Sequence, residues 1–162
     1  EDKLDPIYEA IDIPYSYYQV LQGSEVIGYA FGVNQKGKYG GMQIILATDT
    51  SGKIVEFYYQ KLSTMEKKRF FSPNFLNQFK GLTLADFYYH KGYLKLGVER
   101  EDDKVQSVIP PGKADSTLFD YNATLRGVMK SLILFDHFWL NEKNEPVYNK
   151  IQKVILNQRK QK

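Results

Sequence analysis

The sequence predicts an α+β fold with a mainly antiparallel sheet, built from hairpins and covered by packed helices. Strand-like runs cluster in neighbouring pairs instead of alternating strictly with helical patterns. The 13 Tyr and 10 Phe residues favour strands and supply flat apolar surface. A length of 162 residues and a hydrophobic content of 43% are typical of one domain with a packed core.

Two hairpins are predicted in the first part of the chain. Aromatic and β-branched runs at 15–22 and 25–34 lie on either side of a Gly-Ser pair, which is typical of a tight turn. Runs at 42–49 and 53–62 enclose a Thr-Ser-Gly turn, and the first of them is apolar enough to predict a largely buried strand. A third strand pair is predicted further on, with 101–109 as the partner of 92–100 across an acidic turn.

Capping signals predict where the helices begin. A helix pattern ends at Gly81, and the loop at 110–117 is too rich in Pro and Gly for regular structure. The longest helix is predicted over 122–140, and a short amphipathic helix over 147–158. The predicted caps are Ser63 or Thr64 ahead of Glu66, Ser72 ahead of Pro73, and Thr83.

The composition excludes several classes of function. The absence of cysteine excludes thiol catalysis, disulfides and cysteine metal sites. A charge of +3 from 22 basic and 19 acidic residues is too small and too evenly spread to indicate nucleic-acid binding. No run of 18 apolar residues occurs, so the sequence predicts no membrane span. Because the first residue is Glu instead of Met, we expect a trimmed chain that a signal peptide or an anchor could precede.

The candidates for catalysis are few. His90 and His137 lie among aromatic residues without a second ligand at metal spacing, so we interpret both as packed or surface histidines. The glycine-rich stretches match neither a P-loop nor a dinucleotide fingerprint. For Gly40 and Gly41 two interpretations stay open: a bend entering a strand, or backbone exposed close to a ligand.

One long stretch resembles a known family. Residues 37–64, "GKYGGMQIILATDTSGKIVEFYYQKLST", are similar to the first half of the bacterial FMN-binding domain. That domain occurs in flavin-bearing components of the sodium-pumping NADH:quinone oxidoreductase and of the related electron-transport complex, and in membrane regulators of nitrous-oxide respiration. The resemblance spans roughly residues 25–138. The matching positions are Tyr39, Gly40 and Gly41 at the opening, Ser51 to Ile54 at the turn, "QFKG" at 78–81, and Ala123 with Thr124.

The resemblance implies a flavin site. In that family a flavin transferase esterifies the matching threonine to the phosphate of FMN, which makes Thr124 the candidate attachment residue. At a predicted helix N-terminus, amide groups and Arg126 favour a phosphate, and Gly127 keeps the backbone accessible. Alternatively, Thr124 is only an N-cap, worth about 1 kcal/mol. The cofactor-binding residues that the resemblance implies are Asn122, Ala123, Thr124, Leu125 and Arg126 with Lys113 for the phosphate, and Tyr39, Gly40, Gly41 and Ser63 nearer the ring or ribityl chain.

The sequence departs from the family pattern at a few positions. Tyr121 and Asn122 replace its Ser-Gly pair, and Leu118 replaces an Asp of the transferase pattern. Arg126 stands where the family has Ser or Thr, and Ser63 stands where it has Thr. These departures favour the alternative of a degenerate domain that has lost its cofactor.

The resulting expectation is an extracytoplasmic FMN-binding electron-transfer module, a carrier instead of a substrate-converting enzyme. Its expected partners are a flavin transferase and membrane electron-transport proteins, with membrane attachment only through an N-terminal anchor. The alternatives are a cofactor-free binding or sensing module, and a small carrier of another hydrophobic ligand. We expect an entry segment with the first strand at 1–24, the FMN-binding domain at 25–140, and a helix with a basic tail at 141–162.

Overall fold

A four-stranded antiparallel sheet forms one layer of the protein. The computed structural model describes residues 16–90 and 102–160, with side chains up to residue 157. The strands follow one another in the sheet in their chain order, as expected for consecutive hairpins, and the predicted α+β fold is confirmed. They are β1 (Tyr17–Gln22), β2 (Glu25–Lys36), β3 (Gly41–Asp49) and β4 (Ile54–Leu62).

β3 is the central element of the sheet core. It pairs with β2 over nine positions, from Gly28 opposite Asp49 to Lys36 opposite Gly41. Its alternate side chains point inward and are fully buried, which confirms the prediction of a largely buried strand. The strand therefore fixes the register of the two hairpins through one apolar face.

Five helices and a 3₁₀ turn complete the described fold. The helices pack on one face of the sheet. The residues that follow the 3₁₀ turn reach the start of β4, where Gly81 donates its N–H to the Ile54 carbonyl at 2.7 Å. Phe57 of β4 stacks on Phe79 at a centroid distance of 4.3 Å. The elements are α1 (Lys67–Phe70), α2 (Pro73–Leu76), the 3₁₀ turn Asn77–Phe79, α3 (Leu84–Tyr89), α4 (Asp115–Trp139) and α5 (Glu145–Lys160).

The predicted helix starts have different outcomes. The helix start predicted directly after Ser72 is confirmed, because α2 begins at Pro73. The start behind Thr83 is also confirmed, because its side chain and Asp86 form a capping box. Neither Ser63 nor Thr64 is a cap, since α1 begins only after Glu66.

The predicted start of the longest helix was wrong. α4 begins at Asp115, seven residues before the predicted residue 122, so the loop ahead of it is shorter than expected. The buried positions in its first turns are polar, namely Thr117 and Asp120, and an apolar pattern does not find them. None of the helices in the described ranges is long and apolar enough to cross a bilayer.

The predicted strand at 101–109 was also wrong. Residues 102–109 form turns, in which Val108 donates its N–H to the Val105 carbonyl and Gln106 donates to the Asp103 carboxylate. Both valines are buried by this local structure, and neither pairs with a strand in residues 16–90 or 102–160. The predicted partner at 92–100 lies outside the described residues.

α4 packs closely against β2 and β3. Phe135 stacks on Phe31 of β2 at 4.7 Å between ring centroids. A Cβ atom on Gly127 would lie 2.4 Å from Ile44 Cδ1 and 3.3 Å from Gln35 Cβ. Gly127 therefore lets the helix approach the sheet, and its backbone faces the core instead of a ligand.

We expect Gly127→Ala to destabilise the fold, because the added methyl group overlaps the Ile44 side chain. Overpacking lowers the free energy of unfolding by about 1–3 kcal/mol, and the better helix propensity of Ala offsets about 1 kcal/mol of this loss. Urea unfolding of Gly127→Ala, Ile44→Val and the double variant tests this expectation. Ile44→Val removes the overlapping methyl group, so the double variant should lose less stability than the sum of the single changes. Additive losses would contradict the close approach.

Candidate cofactor site

The loop between β2 and β3, residues 37–40, which we call the glycine loop, contacts α4 and the residue that follows β4. Lys38 donates its backbone N–H to Asp120 Oδ1 at 2.7 Å. Gly37 donates its N–H to the Gly40 carbonyl at 2.8 Å, which closes the loop on itself. Gly40 has a φ of +144°, and a Cβ atom there would lie 3.2 Å from Ser63 Oγ. The structure thus brings together the loop, Ser63 and one segment of α4.

Thr124 lies inside α4 and is fully buried. Its Oγ1 donates a hydrogen bond to the Asp120 carbonyl one turn earlier, at 2.8 Å. The Tyr59 hydroxyl lies 2.6 Å from the same oxygen, and donates to it because the Thr124 proton is already engaged. Thr124 is therefore a structural link between β4 and α4. It is not an N-cap.

The neighbours of Thr124 divide between the core and the surface. Ala123 and Leu125 are buried among the core side chains. Asn122 is exposed and Arg126 is partly exposed, and they are four residues apart on one face of the helix. Only these two of the five predicted helix positions can contact a ligand without a change in the core.

A cationic and aromatic surface lies beside the loop. The Nζ atom of Lys38 is 5.7 Å from the centroid of the Phe119 ring, and the Arg126 guanidinium carbon is 5.9 Å from it. Tyr39, which follows Lys38 in the loop, has a ring that is 49% exposed. We call the set of Lys38, Tyr39, Phe119, Asn122 and Arg126 the Phe119 surface.

Lys113 lies far from Thr124 along the axis of α4. It lies in the loop ahead of Asp115, and nine residues of helix, about 13.5 Å of rise, separate Asp115 from Thr124. The amide groups around Thr124 are inside the helix ladder and do not form a free N-terminus. The expectation that Lys113 and free amides near 122–127 hold a phosphate at Thr124 is therefore wrong.

Two site residues, Asp120 and Tyr59, were not predicted from the sequence. Asp120 is fully buried, and its Oδ2 atom has no hydrogen-bond partner among the described residues. Burial of a carboxyl group with few partners costs free energy. The hydrogen bond that its other oxygen accepts from the Lys38 N–H offsets part of this cost. The spacing of Asp120 to Thr124, one helical turn, was the signal in the sequence that could have identified it.

The histidines fit their interpretation as packed or surface residues. His90 Nδ1 lies 2.9 Å from Asp103 Oδ2 in a mostly buried pair. His137 Nδ1 lies 2.7 Å from Glu142 Oε1 at the surface. Over the described ranges, no group of three or more His, Asp or Glu side chains is placed to hold a metal ion.

Burial alters the acidity of two tyrosines near the site. It raises the pKa of the Tyr59 hydroxyl far above its usual range, and the nearby Asp120 charge acts in the same direction. Burial, together with the Asp103 charge, raises the pKa of Tyr121 to about 12. Both hydroxyls are therefore neutral hydrogen-bond donors under ordinary conditions.

We expect Thr124→Val to cost more stability than Tyr59→Phe. Thr124→Val leaves the buried Tyr59 hydroxyl without an acceptor, which costs about 1–3 kcal/mol. Tyr59→Phe costs about 0.5–1.5 kcal/mol, because Thr124 keeps its bond to the Asp120 carbonyl. Urea unfolding of both single variants and the double variant measures the coupling, and the double variant should lose less than the sum. Equal and additive losses would show that the pair is not a buried hydrogen bond.

We expect the free energy of unfolding to fall as the pH rises from about 10 to about 12. The folded state holds the Tyr121 proton more tightly than the unfolded state, whose tyrosine pKa is about 10. The stabilisation is therefore complete below pH ~10 and is lost as the pH rises through the folded pKa. Urea unfolding across this range should show a shallower fall for Tyr121→Phe, and identical slopes would contradict the assignment.

Comparison with known proteins leaves the family of this chain open. A scan against protein-family models finds no match, and a search of curated proteins finds no similar sequence. The resemblance to the FMN-binding domain therefore depends on the loop, turn and helix motifs of the sequence alone. What that resemblance implies about function is carried forward as a proposal.

Proposed function

We propose that this protein is an FMN-binding electron-transfer module that holds its flavin non-covalently at the Phe119 surface. The observation that carries the proposal is the position of two cationic groups, Lys38 and Arg126, at the same aromatic ring beside the glycine loop. A phosphate monoester is complementary to such a pair of cations. The rings of Phe119 and Tyr39 are flat surfaces on which an isoalloxazine ring can stack.

The residues of the Phe119 surface fit the parts of FMN. Lys38 and Arg126 would hold the phosphate, and the exposed Asn122 amide can donate to or accept from the ribityl chain. Gly40 and Gly41 leave the loop backbone open beside this surface. Bound FMN supplies the electron-transfer chemistry, while the protein supplies position, exposure and charge.

The burial of Thr124 favours non-covalent binding. An ester bond needs the Thr124 hydroxyl oxygen to reach the phosphorus atom, but this oxygen is enclosed between Tyr59 and the Asp120 carbonyl. Attachment would break two hydrogen bonds and open the contact between α4 and β4. In the proposed form the protein therefore binds FMN without a flavin transferase.

The setting of this activity is part of the same proposal. Exchange of electrons with membrane electron-transport proteins, in an extracytoplasmic location, is supported by the resemblance of the glycine-loop and turn motifs. The exposed position of Tyr39 would leave a bound flavin accessible to such a partner.

A cofactor-free binding module is the second candidate. The buried Asp120 carboxyl group lies directly beneath the loop, 2.7 Å from the Lys38 amide nitrogen. The negative charge of this group, which also acts on Tyr59, opposes the approach of a phosphate. The replacements at Leu118 and Asn122 point in the same direction.

Titration with FMN and with riboflavin separates these candidates. We expect saturable quenching of flavin fluorescence, with Lys38→Gln and Arg126→Gln each weakening FMN binding about tenfold, the loss of one charge-assisted hydrogen bond. Riboflavin has no phosphate, so its affinity should change less than about twofold. Lys153→Gln removes an exposed charge from α5 and is the matched control.

The same samples distinguish the mode of attachment. After acid precipitation, the colour should appear in the supernatant if the flavin is non-covalent. Colour that stays in the pellet would establish a covalent bond and contradict our proposal. No saturable binding of either flavin would favour the cofactor-free module.

A further inference from the structure

The start of α4 is an uncapped helix N-terminus of a 25-residue helix. Its N-cap position holds Ala114, which has no side-chain oxygen to accept from the first amides. The first backbone bond of the helix is from the Leu118 N–H to the Ala114 carbonyl. Within the described part of the chain, the N–H groups of residues 115–117 therefore have no backbone acceptor, and they carry the positive end of the helix dipole.

A buried hydroxyl lies at this same turn. Thr117 is 1% exposed, and its Oγ1 atom has no hydrogen-bond partner among the described residues. Such a group is costly unless a ligand or an ion satisfies it. A Cβ atom on Gly112 would lie 3.0 Å from Arg69 Nη1, 3.3 Å from the Thr117 methyl carbon Cγ2 and 3.7 Å from Thr117 Oγ1. Because Gly112 has no side chain, the hydroxyl and the guanidinium share one small space beside the helix start.

A groove with cationic and amide groups adjoins this point. It has a volume of about 930 Å³ and lies between α1, α2 and residues 109–111. Lys68, Arg69, Asn74 and Gln78 contribute to its wall, and none of the described lining residues is Asp or Glu. Two acidic residues lie near the junction: Asp115 is the first residue of α4, and Glu66 Oε2 lies 3.1 Å from Arg69 Nε, which leaves the two terminal nitrogens of the guanidinium for another acceptor.

We propose that this junction is a binding site for a phosphate monoester. The phosphate accepts from the first-turn N–H groups of α4, from the Thr117 hydroxyl and from the Arg69 guanidinium, which together suit a tetrahedral dianion. The uncharged part of the ligand lies in the groove, against the amide side chains of Asn74 and Gln78. The site is independent of the proposed flavin surface, since two residues turn a helix by about 200° and Thr117 faces away from Phe119.

An NMR titration of the full ¹⁵N-labelled chain with inorganic phosphate tests the site, with potassium chloride at matched ionic strength as the reference. We expect saturable shifts of the amides of residues 115–117. Arg69→Gln should weaken phosphate binding about tenfold. Lys67→Gln is the matched control, because it removes a charge from the same helix at a side chain that lies over Phe71. The phosphate affinity of Lys67→Gln should stay within about twofold of that of the parent protein.

Thr117→Val is a second test that does not depend on surface charge. It removes a buried hydroxyl without a partner, so the variant should be at least as stable as the parent without phosphate. It should bind phosphate more weakly and gain less thermal stability from it. A variant that binds phosphate as tightly as the parent would overturn the role of the hydroxyl.

The remaining outcomes separate this site from others. Unsaturable shifts, or equal weakening by Arg69→Gln and Lys67→Gln, would indicate diffuse charge and overturn the site. Loss of phosphate binding in Lys38→Gln or Arg126→Gln would assign the anion to the Phe119 surface instead. Glycerol 1-phosphate should bind more tightly than inorganic phosphate through the groove, and equal affinities would overturn the monoester part of the proposal.

Discussion

The packing of α4 against β2 and β3 determines where the candidate site residues of this helix lie. Gly127 lets the helix axis approach Ile44, and the contact between Phe135 and Phe31 fixes its far end. Once the helix is docked in this way, its rotation is set. Ala123, Thr124 and Leu125 must face or border the core, while Asn122 and Arg126 face outward. The exposed chemistry of the helix is therefore a consequence of its buried face.

That buried face is polar at several points, and its polar groups connect three elements. The Tyr59 hydroxyl on β4 donates to Thr124, which donates to the carbonyl of Asp120. The Asp120 side chain in turn accepts from the backbone of Lys38 in the glycine loop. A threonine that the sequence suggests as a point of cofactor attachment is thus the middle of a buried hydrogen-bond chain, and it holds the loop indirectly.

The sequence was sufficient to predict the sheet and two of the helix starts. Alternating side chains and tight turns define β1 to β4, and Ser72 and Thr83 stand where a cap is needed. The start of α4 could not be found in this way, because Thr117 and Asp120 occupy positions where an apolar side chain is expected. The burial of Thr124 was not predictable either. It depends on where the helix begins and on a tyrosine 65 residues away in the sequence.

The turn at 102–109 shows a different limit of prediction. Its two buried valines are three residues apart, a spacing that would place them on opposite faces of a strand, and local bonds are donated by the Val108 and Gln106 N–H groups. The strand prediction depended on β-branched residues behind an acidic turn, and the period of the buried positions does not support it.

The bond between Lys38 and Asp120 joins positions that are 82 residues apart in the chain. Contacts of such long range form slowly, because a large loop must close before they contribute. The glycine loop precedes α4 in the chain and therefore takes its fixed shape only after α4 has docked. Until α4 has docked, the loop lacks the hydrogen bond that fixes it against the helix.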